Sequence, residues 1–248
     1  MRFITHGHTN HQTLMLIHGM GNTSSLFDPI LEYLKDYYVV VCELDGHSPN
    51  EESEFSTVAD ACEKIEGYVT KEFGGCLNCL LGFSLGGTIA TELISRGKIN
   101  IEHTIIDAGF NVKMGIMTYP YKWVFQGAIG RLKKGKRIPT FLTEAMMGKG
   151  NSRIIDTLYK GVSLQTIGNV SLSVYRYEMK DSIRNYKNPV VFWHGSNEFY
   201  PPKSAKLLKK YLPNMQIQVF ENMGHGQMMT EHPKEYVQKI NQFIKTTQ

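Results

Sequence analysis

The chain has 248 residues, 42% hydrophobic, 20% charged and 11% aromatic; this suffices for one domain with a sizeable core and excludes disordered, fibrous and disulfide-scaffold classes. Its 27 Lys and Arg against 23 Asp and Glu leave a net charge of only +4, too balanced for a protein that binds nucleic acid by neutralising many phosphates. No apolar run approaches the roughly 20 residues that cross a bilayer, and residues 1–11 lack a basic start followed by an apolar stretch, so the expectation is a cytoplasmic protein with no membrane span and no signal peptide.

From Thr13 onward short apolar strands alternate with amphipathic helices, the pattern of an α/β fold with a mostly parallel sheet covered on both faces. Strands are expected at 13–17, 37–42, 77–82, 102–106, 189–194 and 216–220, each rich in β-branched, aliphatic or aromatic residues. Before the second strand, Leu26, Ile30, Leu31 and Leu34 recur at helical spacing. Val58, Ala61, Cys62, Ile65 and Val69 do so before the third, with Ser56 as the expected cap. The Cys76-to-Cys79 spacing falls on a strand, where positions three apart face opposite ways, so these thiols are not expected to pair or to hold zinc. With no export signal, all four cysteines, Cys42 and Cys62 included, are expected reduced.

Residues 110–187 break the rhythm: they contain no clear strand but several Gly-broken, Met-rich and aromatic-rich helical pieces, too long for a loop. They are expected to form a helical cap over a core of residues 1–109 and 188–248. Met114, Met117, Tyr119, Tyr121, Trp123, Phe125, Phe141, Met146 and Met147 would supply apolar cap core and pocket lining, which suits a medium-sized, partly apolar small-molecule substrate. The basic run Arg131, Lys133, Lys134, Lys136 and Arg137 reads as a solvated helix end. After the cap, Leu207, Leu208 and Tyr211 mark a helix closed by Pro213, and Tyr236, Val237, Ile240, Phe243 and Ile244 mark the last one.

Chemistry concentrates where strands end. Gly82-Phe83-Ser84-Leu85-Gly86-Gly87 follows an apolar strand and opens a helix-compatible run, the context in which a sharp turn lifts a serine clear of the sheet as a nucleophile. The backbone amides of Met20, in His18-Gly19-Met20-Gly21, and of Leu85 could form an oxyanion hole. A serine needs a base, and His225 in Asn222-Met223-Gly224-His225-Gly226 lies just beyond the last strand. The orienting acid is Glu198, just past the fifth strand, or Asp107, at the end of the fourth; chain order favours Glu198. His47 could be a second base, but a structural loop is the favoured reading; His6, His8 and His11, with no carboxylate or cysteine beside them, are expected in an exposed hairpin and not on a metal.

These landmarks, with Asp45-Gly46-His47-Ser48, resemble the α/β-hydrolase superfamily in order and over nearly the whole chain, and within it the small capped esterase, lipase and carbon–carbon hydrolase members. The resemblance implies an α/β-hydrolase fold of about six to seven strands, a carboxylesterase-like serine hydrolase, and no metal or cofactor. Two departures stand out. The acid position usually carries aspartate, and only about a dozen residues precede Thr13 where the family sheet usually opens with an antiparallel pair. A carbon–carbon hydrolase or lyase using the same triad, or a non-catalytic small-molecule receptor on the same fold, are the alternatives; dehalogenase and epoxide-hydrolase chemistry would want a carboxylate where Ser84 stands.

Overall fold

A computed structural model describes residues 1–49, 52–149, 151, 155 and 157–247, apart from the side chains of 145 and 146. Seven strands form one sheet in the order β1-β3-β2-β4-β5-β6-β7, with β1 (Arg2–His6), β2 (Gln12–Ile17), β3 (Tyr37–Glu43), β4 (Cys76–Phe83), β5 (Asn100–Asp107), β6 (Val190–Gly195) and β7 (Gln216–Phe220). All neighbours run parallel except β1 against β3. The register carries Ile17 beside Gly82, Gly82 beside Ile106 and Ile106 beside Phe192. The parallel strands therefore all end on one edge, and the chain order reverses direction around β2, which opens a crevice for ligands at that edge.

The two faces of the sheet follow from the period-two alternation of strand side chains. Met15, Ile17, Val40, Leu80 and Ile106 point to one face, under α2 (Val58–Phe73) and α3 (Leu85–Arg96). Leu14, Leu16, Val39, Leu81 and Ile105 point to the other, under α1 (Asp28–Leu31) and α9 (Pro233–Thr246). Because both faces are covered, the strands read as continuous apolar runs. Between β5 and β6 come α4 (Thr118–Lys133), α5 (Thr140–Met147) and α6 (Leu164–Tyr175), with α4 packed on α6. The chain then completes β6, α7 (Pro201–Tyr211), β7 and α8 (Gln227–Glu231). Among the described residues no helix is long and apolar enough to cross a membrane.

The six expected strands form, each within two residues of its expected ends. The exposed hairpin at the N-terminus does not: β1 pairs with β3, and β3 separates it from β2. Gly7 makes the crossing possible, since at φ +86° its Cα lies where a Cβ would meet the Tyr37 carbonyl oxygen at 2.4 Å. Of the four cysteines, all free, Cys76 is exposed and Cys42, Cys62 and Cys79 are buried.

The cap of α2 is Thr57, not Ser56. Thr57 holds extended backbone at φ −137° and its hydroxyl accepts from the Asp60 amide at 3.1 Å. Thr57→Ala should therefore lower the unfolding free energy by about 1 kcal/mol in urea titrations. Ser56→Ala should cost less than half of that; equal losses would contradict the assignment.

Candidate active site

At the end of β4 the chain must turn sharply into α3 beneath the end of β2. Gly82 and Gly86 make this possible: a Cβ on Gly82 would stand 2.1 Å from the Gly86 carbonyl oxygen, and one on Gly86 2.1 Å from that of Ile17. Between them Ser84 adopts φ 55° and ψ −109°, a conformation L-residues rarely hold and one that costs on the order of 1–3 kcal/mol. Two bonds secure it: the Ser84 amide donates to the Asp107 carbonyl at 2.8 Å, and the Gly86 amide donates to the His18 carbonyl at 3.1 Å. Leu85 is the first residue of α3, so its N–H has no acceptor within the helix and lies at the positive end of the helix dipole.

Ser84, Leu85, Met20, His225 and Glu198 all line one cavity of about 130 Å³. His225 Nδ1 donates to Glu198 Oε1 at 2.6 Å, while Glu198 Oε2 accepts the Gly195 amide, also at 2.6 Å. Both carboxylate oxygens are thus engaged, and the histidine ring rests 4.7 Å from that of Phe83. The histidine backbone is gripped by the segment between β5 and β6. Its amide donates to the Met147 carbonyl at 2.8 Å, and its carbonyl accepts from Asn151 Nδ2 at 2.7 Å. Nothing in the residue types around Asn151 marked it in the sequence.

Asp107, the other candidate acid, sits apart from this pairing. It accepts from the Tyr236 hydroxyl at 2.7 Å and is not among the residues lining the cavity. Burial pushes its carboxyl up to about 7; the Tyr236 bond opposes that shift and the nearby Glu198 charge adds to it. His47 is buried away from the cavity, with Nδ1 donating to the Asp45 carbonyl, and burial drops it to about 4. His18, dropped by burial to about 3, donates from Nδ1 to the Gly19 carbonyl and accepts the Leu44 amide at Nε2. Both imidazoles are neutral braces of the strand-end loops.

Of the expected apolar lining, Tyr121, Phe125 and Met147 face the cavity. Met114 packs on the main core, whereas Met117, Tyr119, Trp123 and Phe141 are exposed. The Met146 side chain lies outside the described residues. The sequence reading missed other lining residues: Ile129, Ile138 and Leu158 from the same segment, and Tyr175 and Tyr200. The basic run closes α4 and the turn after it, where Arg131 donates to the Arg137 carbonyl.

A strained serine on a strand-to-helix turn, the Leu85 amide at the helix start next to it and an imidazole held by a carboxylate together fit nucleophilic acyl transfer. The model of a family described as the alpha/beta hydrolase family matches residues 14–239. A bifunctional biotin-biosynthesis protein of Teredinibacter turnerae is 26% identical over 265 residues, 95% of this chain; the chain spans 45% of that protein's length. The pimeloyl-acyl-carrier-protein methyl ester esterase of Aliivibrio salmonicida is 21% identical over 250 residues, 94% of this chain and 92% of that one. Among solved structures, a Desulfitobacterium hafniense protein assigned to the same family superposes with a TM-score of 0.85 at 24% identity, covering 97% of this chain and 99% of that one.

The Asp107 environment yields a prediction about stability. A carboxyl raised from 3.8 to about 7 stabilises the fold fully below its unfolded value, and that stabilisation is lost as pH rises through 7. The stability of the wild type relative to Asp107→Asn should therefore fall between about pH 4 and 7, at up to about 1.4 kcal/mol per pH unit, and level off above. Urea unfolding of both proteins across that range checks it, and a difference independent of pH would contradict a protonated Asp107.

Proposed function

The chain belongs to the alpha/beta hydrolase family, and on that footing we propose that it is a serine esterase in which Ser84 is the nucleophile, His225 the base and Glu198 the acid that orients it. The observation that carries this reading is the Glu198–His225 pair at 2.6 Å on the wall of the cavity that Ser84 also lines. In this mechanism His225 takes the Ser84 Oγ proton as the oxygen attacks the ester carbonyl. The oxyanion that forms is met by the Met20 and Leu85 amides, each typically worth about 3 kcal/mol of transition-state stabilisation. His225 then protonates the departing alcohol, leaving an acyl-enzyme, and activates the water that releases the acid. Glu198 stays ionised, holding the Nδ1 proton and balancing the imidazolium charge.

Residues 110–187 act as a cap over the core formed by 1–109 and 188–248. The cap closes the acyl side of the cavity with aliphatic and aromatic groups; among the described lining residues there is no Lys or Arg, and Glu198 is the one carboxylate. The substrate is accordingly a carboxylic ester with a medium-sized, largely apolar acyl group. This agrees with the methyl ester esterases among its relatives, whose names specify an acyl ester of a dicarboxylic acid carried on a protein.

Hydrolysis of p-nitrophenyl butyrate and hexanoate by purified variants tests the assignment. Ser84→Ala and His225→Ala should each lower kcat by about 10³-fold or more, and Glu198→Ala by about 10²-fold or more, with thermal unfolding still cooperative. Asp107→Asn should cost far less than Glu198→Ala. Wild-type turnover surviving in Ser84→Ala would overturn the proposal, and a larger loss in Asp107→Asn would transfer the acid's role.

A further inference from the structure

The cavity contains polar groups that acyl transfer does not use. Tyr121 on α4, Tyr175 at the end of α6 and Tyr200 just before α7 all line it, and their rings meet edge-on, Tyr121 lying 5.8 Å from Tyr175 and 5.7 Å from Tyr200. Phe110 closes the cluster at 4.9 Å from Tyr175 and 5.2 Å from Tyr200. The Tyr121 and Tyr200 hydroxyls share one hydrogen bond of 2.5 Å. Two phenols hold two protons, and one bond uses one of them, so this pair retains a free O–H.

The Tyr175 hydroxyl has no hydrogen-bond partner among the described residues, although the residue is only 6% exposed. Burial and the neighbouring Tyr121 and Tyr200 hydroxyls push Tyr175 far above the ordinary phenol range, so it stays a neutral donor. The other neutral polar groups on the wall away from Ser84 are already committed: Ser171 donates to the Ile167 carbonyl and Asn22 to Thr157. These hydroxyls face the open cavity and are not sealed in the core. Once an acyl chain fills the cavity and displaces water, each one left unpaired costs about 1–3 kcal/mol, so two free donors on an apolar wall favour a ligand that brings an acceptor.

We propose that Tyr121, Tyr175 and Tyr200 form a second recognition site, which selects acyl groups bearing an uncharged oxygen acceptor, a ketone or ester carbonyl, away from the scissile bond. This rests on the esterase reading and refines its substrate class. A carboxylate at that point of the acyl chain is disfavoured because no Lys or Arg lines the described cavity wall to offset its desolvation. A hydrocarbon chain binds but leaves both donors unpaired. The reaction is the same ester hydrolysis, and the added group is not transformed.

The test compares p-nitrophenyl 4-oxopentanoate, 5-oxohexanoate and 6-oxoheptanoate with the hydrocarbon ester of equal length and with the equally long ω-carboxylate ester. For at least one oxo position the wild type should show kcat/KM about 10-fold above the hydrocarbon ester, the gain expected from one to two added hydrogen bonds. Tyr175→Phe, and the double variant Tyr121→Phe/Tyr200→Phe that removes both members of the bonded pair, should each bring that ratio, taken within the variant, down toward 1. Reading the ratio inside each variant cancels any general loss of turnover. No preference at any oxo position, a preference that survives both Phe variants, or a preference for the ω-carboxylate would overturn the proposal. Absence of turnover of every ester by the wild type would instead count against the esterase reading itself.

Discussion

The crossing of three backbones at the end of β4 sets the geometry of everything around it. Gly86 lies against the Ile17 carbonyl of β2 and Gly82 against the Gly86 carbonyl, so neither position can carry a side chain while β4, its turn and α3 keep this approach. The strain stored at Ser84 is held by the Asp107 carbonyl from the neighbouring strand and by the α3 helix that begins one residue later. The same approach that forces the serine outward leaves the Leu85 amide free beside it and brings the strand-end loop of Met20 to the same cavity. One steric constraint thereby assembles both halves of the proposed acyl-transfer site, the nucleophile and the oxyanion donors.

The proposed base is held from two directions that the sheet alone does not supply. Glu198 fixes the ring, and its second oxygen is fixed in turn by the Gly195 amide at the end of β6. The backbone of His225 is tied to the segment between β5 and β6 through Met147 and Asn151. Gly224 and Gly148 allow that contact, since a Cβ on Gly148 would come within 2.9 Å of the Gly224 Cα. Residues that line the cavity and residues that hold the histidine thus belong to one stretch of chain, so the geometry of the segment between β5 and β6 and the position of His225 are mechanically joined.

Much of this was legible in the sequence because buried parallel strands leave an unmistakable mark: Leu14–Ile17 and Leu80–Phe83 are apolar runs ending in glycine-flanked turns. Ser84, His225 and Glu198 followed from their places at strand ends, and the structure brings them to one cavity. β1 escaped because its residues, Arg2, Phe3, Ile4, Thr5 and His6, are half polar, and pairing with β3 on a single side suffices to hold them. Ser56 and Thr57 are chemically equivalent caps, and only the backbone angle at Thr57 chooses between them. The lining of the cavity was the least legible part. Aromatic richness in 110–147 does not say which side of α4 faces inward, and Trp123 turns out to be exposed while Tyr121 and Phe125 turn in. Tyr200 joins Tyr121 across a long separation in sequence that no local pattern encodes.

The central claim is that Ser84 is an activated nucleophile, and covalent trapping tests it most directly. The folded protein should be incubated with a fluorophosphonate and digested, and its peptides mapped by mass spectrometry. The account predicts one phosphonyl group per chain, on the peptide containing Ser84 and on that residue, with the adduct absent from His225→Ala under the same conditions. An adduct on a different residue, or a folded wild type that takes up none, would contradict it.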